Sequence, residues 1–229
     1  MATIVYGVSG EGSGHSTRAL IMARHLVDSG HTVKIVTYQR GLTNLQPHFD
    51  VFETEGLHIA SVDNKVNVLK TITENVKKLP QGNQRLKALR AEVFETLKPD
   101  CVICDFEPMT AYLAAHYKIP CISLDNQHRM RYMECPHPPD TTTDRIITEN
   151  VIKAMVPWPH VSLVVSFYAG KPLNDHTFIM PPLLREDMYG MQPRDDGHIL
   201  VYMTSIYDSL LELLKRFTRE RFFIYGAER

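Results

Sequence analysis

The sequence predicts an α/β protein with a doubly wound, mostly parallel, Rossmann-like sheet, followed by the start of a second βαβ domain. Three observations lead there. Short β-branched runs alternate with helical periodicity along the chain, a glycine-rich turn joins the first strand to the first helix, and the composition is that of an ordinary globular protein. Of 229 residues, 44% are hydrophobic and 22% charged, which excludes a disordered tail, a collagen-like repeat and a coiled coil. The 25 basic and 26 acidic side chains leave a formal net charge of -1, so nucleic acid is not expected as a partner.

Taken in order, Thr3 to Ser9 (TIVYGVS) reads as a buried strand. Ala19, Leu20, Ala23, Leu26 and Val27 recur at helical spacing, Gly30 ends that helix, and Thr32 to Thr37 (TVKIVT) is the second strand. Phe49 to Thr54 and Leu57 to Ala60 are expected as short strands, Asn67 to Lys78 as a polar helix, and Pro80-Gln81-Gly82-Asn83 as a turn. Leu86, Leu89, Val93, Phe94 and Leu97 mark a further helix. Strands are expected at Cys101 to Asp105, Cys121 to Asp125 and Val161 to Phe167, with helices over Met109 to Tyr117 and Asp144 to Val156 between them.

Pro181-Pro182 and the stretch Arg185 to Gly197, with Gly190 and Pro193, read as a linker. His198 to Met203, Ile206 to Phe217 and Phe222 to Gly226 then read as strand, helix, strand. The expected organisation is a domain over 1–184, a linker over 185–197 and the beginning of another domain over 198–229. Two parallel strands and one helix cannot cover both faces of their sheet, so the chain is expected to be a fragment of a two-domain protein.

No secretion signal is read at the N-terminus, and no uncharged apolar run approaches the roughly 20 residues that cross a bilayer. A cytoplasmic location is expected, with any membrane contact peripheral, at the inner face of the cell membrane. The four cysteines at 101, 104, 121 and 135 are too scattered for a disulfide scaffold. Cys101 and Cys104 have redox spacing, yet positions three apart on a strand point to opposite faces, so they read as core. His128, Cys135 and His137 match no compact metal site, and no metal is expected.

The chemistry concentrates in Gly7-Val8-Ser9-Gly10-Glu11-Gly12-Ser13-Gly14-His15. Glycines here let the backbone turn sharply and approach a ligand, and the helix behind offers unpaired N–H groups to an anion. A P-loop would need Lys-Ser/Thr where Ser13-Gly14 or Ser16-Thr17 stand. A dinucleotide fingerprint would need glycine or alanine at His15 or Thr17, and the second strand ends without an acid for a ribose. A glycine turn that merely packs strand to helix is the alternative.

Gly10-Glu11-Gly12-Ser13-Gly14-His15, directly after the first strand and before the Ser16 to Leu26 helix, resembles the first loop of GT-B glycosyltransferases, which include the peptidoglycan lipid-intermediate GlcNAc transferase and the glucuronosyl and plant natural-product transferases. The domain order resembles the passage from acceptor domain to donor domain in that fold. The resemblance implies sugar transfer from a nucleotide sugar, bound as substrate with no cofactor, to an acceptor hydroxyl, with cell-envelope glycan or glycolipid synthesis as the context. In several inverting members a histidine at the loop's end deprotonates the acceptor, and His15 matches its place. The carboxylate to orient it is Asp105, at the carboxyl edge of the sheet, with Asp125 as second choice. Gly10, Gly12, Ser13 and Gly14 would shape the substrate cleft. Asp125-Asn126-Gln127-His128, also at a strand end, offers donors and acceptors to a sugar or polyol.

The plain alternatives stay open: His15 packing the helix start, Asp105 capping the next helix, and 125–128 as a satisfied turn. At the level of function, a UDP-GlcNAc 2-epimerase-like enzyme and a non-catalytic sugar or nucleotide binding module compete. On the fragment reading, the 229-residue chain alone is expected to be weak or inactive.

Overall fold

A computed structural model of the chain describes residues 1–56, 61–62, 65–66, 68–202 and 208–225, with side chains between 57 and 72 and at 75 left aside. Two compact units follow one another, Met1–Arg185 and Glu186–Arg229.

The first unit is built on a seven-stranded sheet, β1 (Thr3–Val8), β2 (Thr32–Thr37), β3 (Val51–Glu53), β4 (Cys101–Asp105), β5 (Cys121–Asp125), β6 (Val161–Val165) and β7 (Thr177–Met180), beside which Ser61–Val62 and Lys65–Val66 form a separate antiparallel pair. The spatial order of the sheet is β3-β2-β1-β4-β5-β6-β7, with every pairing in it parallel. The helices are α1 (Gly14–Asp28), α2 (Gln39–Leu45), α3 (Val68–Ala88), α4 (Pro108–Tyr117), α5 (Arg129–Tyr132) and α6 (Thr142–Met155); a π-helical segment over Leu89–Glu95 continues α3.

Both faces of the sheet are covered, as a parallel sheet requires. Side chains alternate along β1. Ile4, Tyr6 and Val8 pack with Ala19 and Ala23 of α1, while Val5 packs with Leu89, Val93, Phe94 and residues of α4 and α6. Gly7 shares the face of Val5, and a Cβ there would lie 2.0 Å from Thr110 Oγ1, so glycine is what lets α4 close on the strand.

Two expectations need correction. Pro80-Gln81-Gly82-Asn83 is not a turn: α3 runs through Pro80 to Ala88. Its continuation buries Leu89, Val93 and Phe94, and that packing outweighs the hydrogen bond lost at the proline. β7, with its Thr-Phe-Ile-Met core, is a seventh strand that the pattern did not mark. Leu57 to Ala60 lies outside the described residues. Cys104 is buried and Cys101 partly so; both are free thiols, and Cys104 donates to the Glu107 carbonyl (3.1 Å).

The second unit contains α7 (Glu186–Tyr189) within the stretch read as a linker, then β8 (Ile199–Tyr202), α8 (Asp208–Leu214) and β9 (Phe222–Tyr225), with β8 and β9 parallel. Met203, Ile206 and Gly226, the expected ends of these elements, lie outside the described residues.

Candidate functional site

The strand order reverses direction of winding between β1 and β4, and open α/β sheets bind ligands at the carboxyl ends of the strands there. At that point Val8 is in register with Asp105, and the Ser9 amide donates to the Asp105 carbonyl (2.9 Å). The loop then turns at Gly12, whose φ of 74° suits glycine, and α1 begins at Gly14 with no side-chain cap from Ser13. His15 therefore sits in the first turn of α1.

Strand parity brings its partner. Asp105 shares parity with Ile103, which packs in the cluster beneath α1. The Asp105 carboxylate is fully buried, and His15 Nδ1 lies 2.6 Å from its Oδ1. A carboxylate only accepts, so the imidazole nitrogen that faces it, Nδ1, carries a proton, and Nε2 is the nitrogen turned away from Asp105. Gln127 Nε2 lies 3.4 Å from that nitrogen. Directly after Asp105, Phe106 adopts φ 57°, a left-handed conformation costly for a bulky residue.

Arg18, three residues on from His15 along α1, is a member of the site that the sequence reading passed over. Its Nε donates to Asp105 Oδ2 (2.8 Å) and its Nη2 to Oδ1 (2.7 Å), with Nη2 also 3.2 Å from His15 Nδ1. Burial works against the guanidinium's charge, but the Asp105 carboxylate outweighs it and raises its pKa. Spacing of i, i+3 puts Arg18 and His15 on one helix face, which is the sequence signal that could have found it. Tyr6, fully buried beneath, has a hydroxyl with no hydrogen-bond partner among the described residues; burial first, and the charge of Asp105 second, push its pKa well up.

The other expected residues divide. Asp125 is not paired with His15. It shares parity with Cys121, in the opposite cluster, and holds its own histidine: His128 Nδ1 lies 2.7 Å from Oδ2 and the His128 amide donates to Oδ1 (2.9 Å). Both Asp125 and His128 are buried, whereas Asn126 is exposed and Gln127 half-buried. In the loop, Gly12, Ser13 and Gly14 are exposed, with nothing within 4 Å of a Cβ at Gly12 or Gly14. Gly10 is buried, and a Cβ there would lie 2.1 Å from the Tyr38 carbonyl, so its smallness serves packing. Asp105 does not cap the next helix. Glu107 does, accepting from the amides of Met109 (3.0 Å) and Thr110 (2.7 Å). Among the described residues no group of three or more His, Cys, Asp or Glu side chains could hold a metal ion, and no helix is long and apolar enough to cross a membrane.

Comparison with solved structures finds similar folds. The glycotransferase of kitacinnamycin matches with a TM-score of 0.55 at 16% identity, over 97% of this chain and 65% of that one. The calicheamicin glycosyltransferase CalG4 gives 0.52 at 17%, over 90% and 58%. Arabidopsis thaliana UGT89C1, complexed with UDP, gives 0.60 at 16%, over 97% and 66%. The chain thus spans 58–66% of the length of these three chains. No curated protein matches it in sequence. The family model of glycosyl transferase family 1 matches residues 2–229, and the chain belongs to that family.

Proposed function

We propose that this chain carries the acceptor-activating half of a nucleotide-sugar-dependent glycosyltransferase of the inverting type, with His15 as general base. The observation that carries the reading is the 2.6 Å contact of His15 Nδ1 with buried Asp105 at the winding reversal of the sheet. With Nδ1 protonated, Nε2 is free to take the proton of an acceptor hydroxyl. The acceptor oxygen then bonds to the anomeric carbon of the donor as the bond from that carbon to the diphosphate oxygen breaks. The nucleoside diphosphate leaves with the electron pair, and the sugar inverts in one displacement. Asp105 stabilises the imidazolium that forms, as the buried carboxylate of a hydrolase triad does.

The similar structures support a nucleotide diphosphate donor: UGT89C1 is known in complexes with UDP, UDP-L-rhamnose and quercetin, and the Streptomyces sp. SF2575 glycosyltransferase SsfS6 in complex with thymidine diphosphate. By the same support, the acceptor for this chain is a small hydroxylated molecule. Gln127, beside Nε2, is proposed to contact it. Exposed Asn126, Gly12, Ser13 and Gly14 are proposed to border it, while Gly10, Asp125 and His128 support the site from within.

The test is nucleoside diphosphate release from UDP- and TDP-sugars, together with mass gain on the acceptor, by the full protein containing this chain. Replacing His15→Ala is expected to lower kcat about 10²- to 10⁴-fold, the usual worth of a general base, with the far-ultraviolet circular dichroism unchanged. Wild-type turnover by His15→Ala would overturn the assignment.

A further inference from the structure

A buried carboxylate beside an imidazole has a drawback for a base. An uncompensated negative charge at 2.6 Å favours the doubly protonated ring, and an imidazolium has no lone pair at Nε2. Arg18 removes that drawback by its geometry. Its planar fork gives each oxygen of Asp105 a separate donor, at 2.8 and 2.7 Å, and Nη2 stands 3.2 Å from Nδ1 of His15. Both Arg18 and His15 have side chains only 13% exposed, so solvent does little to screen the pair.

Asp105 comes from β4 and Arg18 from α1; Asp125 of β5 is paired with His128; Glu11 belongs to the glycine-rich loop, and Tyr6 of β1 is held neutral by burial. Gln127, facing Nε2, carries no charge. Among the described residues, Arg18 is the fixed positive charge that meets Asp105.

We propose that Arg18 is a positioning residue for the base: by neutralising Asp105 it keeps His15 a neutral imidazole, protonated on Nδ1 and open at Nε2. Its consequence for turnover rests on the reading of His15 as base, but the charge state does not, and the two are separable by experiment. Loss of Arg18 leaves Asp105 to draw a second proton onto the ring, so the enzyme needs a higher pH before its base is free.

The test is an imidazole nitrogen NMR titration of the protein, comparing wild type with Arg18→Gln, Arg18→Lys and the double variant Arg18→Gln/Asp105→Asn. At neutral pH the wild-type ring is expected in the neutral form with its proton on Nδ1. Arg18→Gln is expected to move the ring's titration upward by about one pH unit or more, the scale of a neighbouring charge. Arg18→Lys is expected to reverse most of that movement because it restores the charge, and Asp105→Asn in the Gln background abolishes it. A merely structural Arg18 would move none of these. An Arg18→Gln titration indistinguishable from wild type would overturn the proposal, and so would an imidazolium in the wild type at neutral pH, a result that needs no variant to fold. A titration that moves as expected in a protein whose His15→Ala variant still transfers sugar would instead leave this proposal standing and remove the base.

Discussion

The glycines of the first loop have different duties, and this separates them experimentally. Gly10 lies under Tyr38, whose ring also fills the space at Gly56, where a Cβ would meet it at 1.9 Å. Gly14 opens α1 into empty space. Gly10→Ala is therefore expected to destabilise the fold by about 1–3 kcal/mol, as overpacking against backbone does. Gly14→Ala should leave stability unchanged or raise it by up to about 1 kcal/mol, since alanine is the better helix residue. Urea unfolding of the two variants checks this, and equal effects would mean that both glycines serve the same end. His15 and Asp105 were legible in the sequence because a loop after one strand and the last residue of another must meet at the sheet's edge. Arg18 was not, because a charged residue on an amphipathic helix reads as solvated until the strand beneath supplies a buried carboxylate.

At the scale of an element, α4 shows how a polar group is kept in the core. Glu107 is fully buried, yet its carboxylate accepts from two amides of the first turn and from Thr110 Oγ1 (2.6 Å). Burial raises its pKa, and the amide and hydroxyl bonds only partly oppose that. The folded protein thus binds this proton more tightly than the unfolded chain. The contribution is fully present below the ordinary carboxylate value and fades as pH rises through the raised one. Glu107→Gln is expected to cost about 1–2 kcal/mol at neutral pH through the weakened cap, and to flatten the fall of stability between the ordinary and raised values by up to about 1.4 kcal/mol per pH unit. Unfolding curves from weakly acidic to neutral pH measure both; parallel curves for wild type and variant would refute the buried titration. Elements such as β1, β4, β5 and β6 were legible because doubly covered strands are continuous apolar runs. β7 was obscured by its length of four residues and the polar residues before it. The helix through Pro80 was obscured because local turn chemistry competes there with tertiary packing of Leu89, Val93 and Phe94, which no local pattern encodes.

At the scale of the molecule, seven parallel strands wound in both directions from the β1–β4 boundary fix one edge where two loops diverge and a ligand can enter. The family assignment over residues 2–229 and the likeness to glycosyltransferase folds agree with that architecture, and the sequence's alternation of strands and helices was enough to anticipate it. What the pattern left open was which carboxylate meets His15, a choice made by strand parity, since Asp105 faces α1 and Asp125 faces the opposite layer. The central claim is that His15 removes a proton. The most direct measurement is kcat/KM of the full protein, wild type and His15→Ala, for two acceptors of one scaffold that differ in hydroxyl acidity, an aliphatic alcohol and a nitrophenol. A nitrophenol largely ionised at the assay pH needs no base, so the account predicts a loss of about 10²- to 10⁴-fold on the alcohol and less than about tenfold on the phenol. Equal losses on both acceptors would contradict it and leave His15 a binding residue.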